Sequence, residues 1–141
     1  MDWKLELVVV PVSDVDRAKA FYSEQLGFHV DVDYQPNENF RVVQLTPPGS
    51  ACSITIGTGV SGGMTPGCIK GLHLIVTDIE AAHAALTARG VSVNGPVHFE
   101  EGRQTPGPDP SRGDYNSFLF FDDPDGNSWQ VQEVSRGARG G

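Results

Sequence analysis

The stretch Phe121–Val134, FDDPDGNSWQVQEV, joins a tight turn to a short strand that closes on a carboxylate. Asp-Pro-Asp-Gly-Asn is dense in turn formers: proline presets φ, glycine accepts a positive φ, and Asp and Asn bond their own backbone. The strand then alternates. Trp129 and Val131 point to one face, and Gln130 and Gln132 to the other. Glu133 lies an odd number of residues from Gln130 and so falls on the Trp129 face. The apolar face is expected to pack on a helix, leaving the glutamines to solvent or to the wall of a cavity.

The chain repeats itself. VPVSDVDRAKAFYSEQLGFHV (10–30) can be laid on LIVTDIEAAHAALTARGVSV (74–93): a β-branched run, a Ser/Thr–Asp pair, an amphipathic stretch, then Gly and a second strand. VVQLTPPGSACSITI (42–56) matches LFFDDPDGNSWQVQE (119–133) more weakly. The organisation read from this is a first βαβββ module over 1–56, a Gly-rich linker over 57–70, a second module over 71–135 and a disordered tail over 136–141. Ser13 is the expected cap of the first helix, with Val15, Ala18, Phe21, Tyr22 and Leu26 as its buried stripe and Gly27 as its stop. Thr77 and Glu80 form a capping-box pattern for the second helix, which Gly90 ends.

Composition excludes several classes. A chain of 141 residues can bury roughly 70% of its unfolded surface and needs no disulfide or metal to fold. The net charge of −8 argues against a nucleic-acid partner, since phosphate affinity comes mainly from Lys and Arg. No apolar run approaches a bilayer span, so no membrane partner is expected. Two cysteines, Cys52 and Cys68, and a start without a basic region fit a cytoplasmic location.

The paired units, with VSDVDRAKAFYSEQLGF (12–28) and DPDGNSWQVQEV (123–134), resemble the vicinal oxygen chelate superfamily of glyoxalases, extradiol dioxygenases and bleomycin-binding proteins. The resemblance implies an α+β fold in which two βαβββ modules form an incomplete barrel around a cleft. It implies metal ligands at Leu7, Ser53, Gly71 and Gln130, of which only Gln130 has a side chain able to bind a metal, and weakly. A shift by two residues brings in Val9, Thr55, His73 and Gln132, which is no metal site either. No metal and no cofactor are therefore expected.

The candidate ligand-binding residues are Leu7, Val9, Ser53, Thr55, His73, Ile75, Gln130 and Gln132 on cavity-facing strand positions, with Arg103 and Tyr115 reaching in from a loop over 98–116. Arg112 is a further candidate from that loop. His73 is the one catalytic candidate, because imidazole exchanges protons near neutrality; the bland alternative is a buried, hydrogen-bonded histidine. His83 reads as a packing residue, and His29 and His98 as exposed. Trp129, Phe118, Phe120, Phe121 and Phe40 read as core aromatics, and Cys52 as a core residue facing the helix.

The favoured reading is a metal-independent small-molecule-binding protein of the glyoxalase/bleomycin-resistance type, holding an aromatic or amphipathic ligand. The alternatives are a lyase, isomerase or dioxygenase-like enzyme of the same superfamily, and a dimeric interaction module. A homodimer is expected in each case, because paired βαβββ units leave strand edges to cover.

Overall fold

In a computed structural model, residues 1–135 are described, and the fold is mixed α+β with two sheets, neither closed into a barrel. The expected tail over 136–141 lies outside the described residues. The chain forms two compact units: Met1–Ile69 with Asp123–Asn127, and Lys70–Asp122 with the described residues from Ser128.

The first unit runs β1 (Leu7–Val9), α1 (Val15–Ala20), a π-helical turn (Phe21–Gln25), β2 (His29–Asn37), β3 (Phe40–Thr46) and β4 (Ser53–Thr58). The second runs β5 (Leu72–Val76), α2 (Ile79–Ala88), β6 (Asn94–Glu100), β7 (Arg103–Pro106), β8 (Phe118–Asp122) and β9 (Ser128–Glu133). Sheet orders are β1-β4-β3-β2 and β5-β9-β8-β6-β7. The second repeats the first and adds β7 at its edge. In both, the first and last strands of the unit pair in parallel, which a helical crossover permits.

The stretch 98–116 is therefore not one long loop. Glu101 (φ 51°) and Gly102 (φ 76°) make a two-residue turn with both residues left-handed, the geometry that suits the twist of a hairpin, and β6 and β7 pair across it. His98 is consequently buried at 3% exposure rather than exposed, with Nδ1 2.7 Å from the Gly107 carbonyl.

The helix caps are each one residue later than the sequence suggested. Asp14 caps α1, accepting from Arg17 N, because the Ser13 hydroxyl is drawn to Asp125 at 2.5 Å. Asp78 caps α2, accepting from Glu80 N and Ala81 N. Ala18, Phe21 and Tyr22 are buried, as are Val43, Leu45, Ile54 and Ile56 on the sheet; Leu26 N bonds Phe21 O, five residues back, as the helix unwinds into the π turn. In the second unit Phe121 and Trp129 stack at 6.1 Å within a core that includes Ile79, Leu119 and Val131. Cys52 is not in a core: it precedes β4, half-buried, and donates to its neighbour Ser53 O.

The Asp-Pro-Asp-Gly-Asn turn folds with the first unit. Asp123, 5% exposed, accepts from Tyr22 Oη at 2.7 Å, from Asn127 Nδ2 at 2.8 Å, and from the backbone N–H groups of Asp125 and Asn127. Asn127 also donates to Pro11 O and accepts from Ile69 N. Gly67 runs so close to this turn, at φ +86°, that a Cβ would stand 2.1 Å from Asp125 O, so only glycine fits. Tyr22→Phe should cost about 2 kcal/mol of stability and Asp123→Ala about 3 kcal/mol or more, because both strand buried polar partners. Urea denaturation checks this; a loss below about 0.5 kcal/mol for Asp123→Ala contradicts it.

Candidate functional site

Strand pairing decides which side chains share a face. In the first unit Leu7 stands opposite Ser53 and Val9 opposite Thr55. Gln44 pairs with Thr55 and so joins the same face, while Ile54, Ile56, Val43 and Leu45 turn inward. The polar groups here mostly satisfy one another. Thr46 Oγ1 bonds the Asp31 carboxylate and lies 2.6 Å from Ser53 Oγ, to which Gln44 Nε2 donates at 3.3 Å. The buried Thr55 hydroxyl has no partner.

In the second unit His73 stands opposite Gln130 and Ile75 opposite Gln132. The position expected at Gly71 thus belongs to His73. Its Nδ1 is bonded to Gly71 O, an interaction the positive φ of Gly71 (80°) allows, and this leaves Nε2 as the nitrogen free to act. Gln130 and Gln132 in turn pair with Phe120 and Phe118 on β8. These two phenylalanines are therefore not core residues: they share the open face with the glutamines, their rings stacked at 6.3 Å. Val97 pairs with Phe118, and Phe99, two residues on, meets the Phe118 ring edge-to-face at 5.5 Å while staying 42% exposed. The face carries a row of three aromatic rings beside two amides and one imidazole. Sequence reasoning missed the row; the signal present was the pairing of FLFF with SWQVQ across the turn. Phe40, also expected in a core, is 36% exposed in the first unit.

The loop candidates do not join this face. Arg103 pairs with Glu100, and by alternation both lie on the side of buried His98, opposite to Phe99. Tyr115 donates its N–H to Glu133 O, and its hydroxyl is buried without a partner. Arg112 is committed elsewhere: it forks onto Glu133 at 3.1 and 3.0 Å and reaches Glu80 at 2.8 Å. Glu133, 3% exposed and on the inward face, also accepts from Ile79 N at 2.9 Å and so serves the start of α2. Among the described residues of the second unit, a hollow of about 210 Å³ opens beside Asn94, Phe120 and Asp122, and a wider one at the β6–β7 tip is lined by Glu100, Glu101, Arg103 and Thr105.

The residues at the metal positions implied by the family do not fit a metal. In the first unit Leu7 offers no donor, and the Ser53 hydroxyl is engaged with Thr46 and Gln44. In the second, His73 and Gln130 supply one imidazole and one weak amide. Among the described residues no group of three or more His, Cys, Asp or Glu could hold a metal ion, and no helix is long and apolar enough to cross a membrane.

The chain belongs to the Glyoxalase/Bleomycin resistance protein/Dioxygenase superfamily, whose model matches residues 4–131. It is similar to TnmS3, an antibiotic binding protein from Streptomyces sp. CB03234, with 34% identity, TM-score 0.73 and coverage of 95% of this chain and 98% of that one. A glyoxalase/bleomycin resistance protein from the same organism has 35% identity and TM-score 0.69 over 92% and 100% of the two chains. A superfamily member from Sphaerobacter thermophilus DSM 20745 has 31% identity and TM-score 0.72 over 94% and 98%. No curated protein matches the sequence significantly.

The Arg112 guanidinium, and less strongly the Ile79 N–H, hold the Glu133 carboxyl below the ordinary glutamate range against the opposing effect of burial. A depressed pKa in the folded chain contributes stability above the ordinary value of 4.5, and this is lost as pH falls from there through the folded value. Glu133→Gln should flatten the acid limb of a stability–pH profile in that window. Arg112→Met should cost about 3 kcal/mol at neutral pH, by leaving a buried charge unpaired. An unchanged acid limb in the Glu133 variant contradicts the assignment.

Proposed function

We propose that this chain is a metal-independent binding protein for a planar aromatic small molecule, held on the open face of the second sheet. The observation that carries the reading is the row Phe99–Phe118–Phe120 on the same face as Gln130 and Gln132. Such a surface gives an aromatic ligand dispersion and ring–ring attraction, while the amides fix its orientation through hydrogen bonds. The likeness to an antibiotic binding protein at 34% identity favours binding over turnover. The donor sets at the implied metal positions favour a site that works without a metal.

Calorimetric titration with a panel of planar aromatic compounds tests this. Phe118→Ala should weaken binding about tenfold, a loss of about 1.4 kcal/mol. The ligand should be recovered unchanged, and retained affinity in Phe118→Ala sinks the reading. One observation supports a second reading, that of an enzyme: His73 presents its free Nε2 on the face it shares with Gln130. That reading requires the ligand to be chemically altered, and the alteration to vanish in His73→Ala while binding persists.

A second copy of the chain is the proposed partner. β1 is an edge strand, and Trp3 and Leu5 ahead of it are 88% and 71% exposed. Sedimentation velocity should show a dimer, and Trp3→Lys with Leu5→Lys should shift it toward monomer.

A further inference from the structure

We infer that Asn116 is a positioning residue for the ligand: its side chain takes the place of a strand partner for Phe99, holding that ring as the third of the aromatic row and so favouring extended planar ligands over single-ring ones. The inference rests on the binding reading above.

Glu100 and Arg103 close the two-residue hairpin turn, and pairs along an antiparallel ladder alternate between hydrogen-bonded and non-bonded. Phe99 opposite Gln104 is then a non-bonded pair, so both backbone polar groups of Phe99 point away from β7, toward β8. The pairing of Val97 with Phe118 puts Asn116 opposite Phe99, but β8 begins only at Phe118. The Asn116 side chain fills the gap: Phe99 N–H donates to Asn116 Oδ1 and Asn116 Nδ2 donates to Phe99 O, both at 3.1 Å. One amide thereby reproduces both bonds of a strand pair.

Asn116 is itself fixed from both sides. Tyr115 N–H donates to Glu133 O and Glu133 N–H donates to Ser117 O, which ties its flanking residues to β9. Ser117 Oγ accepts from Asp109 N, anchoring the strap that leads to it. The amide thus transmits the register of β9 to β6. The Phe99 ring, 42% exposed, has no core packing to hold it, and its edge-to-face contact with Phe118 depends on this backbone placement. Phe120 and Phe118 are near parallel at 6.3 Å (11°), while Phe99 stands across the end of the pair at 5.5 Å and 81°, so it adds an upright ring that only a ligand reaching beyond Phe118 touches. A single-ring ligand on Phe118 and Phe120 does not reach that ring; a linear three-ring ligand does.

The test uses two probes with the same polar group, benzyl alcohol and an anthracenemethanol substituted on an end ring, titrated calorimetrically into the full chain and into Asn116→Ala, Phe99→Ala, the double variant and Phe118→Ala. Asn116→Ala and Phe99→Ala should each weaken the anthracene probe about tenfold, and the benzyl probe by no more than about twofold. The double variant should be no weaker than either single one, since both act through one ring. In Asn116→Ala, hydrogen exchange at the Phe99 N–H should accelerate while exchange at the Leu119 N–H stays unchanged. Should Asn116→Ala fail to fold, Phe99→Ala, a change at an exposed side chain, still decides whether the third ring selects for length. Equal weakening of both probes, additive losses, or an anthracene affinity unchanged in Asn116→Ala overturns the inference while Phe118→Ala still shows loss. An affinity unchanged in Phe118→Ala, or no binding of either probe to the unaltered chain, overturns the binding reading itself.

Discussion

The Asp123 carboxylate accepts from Tyr22, from the Asn127 side chain and from two backbone N–H groups, and this one buried group organises the turn that leads into β9. The turn it organises folds with the first unit, while the strands entering and leaving it, β8 and β9, belong to the second. The turn therefore fixes where β9 begins. Along β9 the side chains then alternate: Trp129 and Val131 to the core, Gln130 and Gln132 to the open face. A slip by one residue would bury the glutamines and expose the tryptophan, at a cost of several unsatisfied amide groups. The buried donors around Asp123 make that slip unfavourable at its origin.

A similar division separates the acids from the glutamines. Asp14, Asp78, Asp123 and Glu133 all serve backbone N–H groups at helix starts or in the turn. None faces the aromatic row. Glu133 is thus a structural group clamped by Arg112, and the open face carries amides, an imidazole and rings, with one exposed carboxylate, Asp122, two residues on from Phe120 along β8.

Much of this was legible in the sequence. Strict alternation in SWQVQE separates the faces of β9, and the repeated caps and glycines outline both units. The aromatic row was not legible, because FLFF has no alternation: only the pairing of Phe118 with Gln132 and Phe120 with Gln130 sends alternate rings to opposite faces. His73 was displaced for a different reason. Aligning the repeats on their helix caps sets Leu7, seven residues before Asp14, over Gly71, seven before Asp78. The strand pairing instead opposes Gln130 to His73, only five residues before Asp78. The two units thus agree in topology and differ by two residues in the path from strand to helix. Ser13 and Asp14 were both competent caps, and the choice came from Asp125, more than a hundred residues away in the chain. His98 was buried by a hairpin that a Pro- and Gly-rich stretch does not announce.

The comparison of the two open faces explains why the second, and not the first, carries the proposed site. On the first, Asp31, Gln44, Thr46 and Ser53 bond one another, so a ligand would have to break existing hydrogen bonds to make new ones, with little net gain. On the second, the row of rings gains from apolar surface brought against it, since apolar area leaves water without breaking a prior bond. On the proposed reading, recognition there would rest on the shape and length of the rings, with Asp122 at the margin of the face as its carboxylate. That is why the placement of a single ring at the end of the row, and the amide that holds it, can govern which ligands the protein accepts.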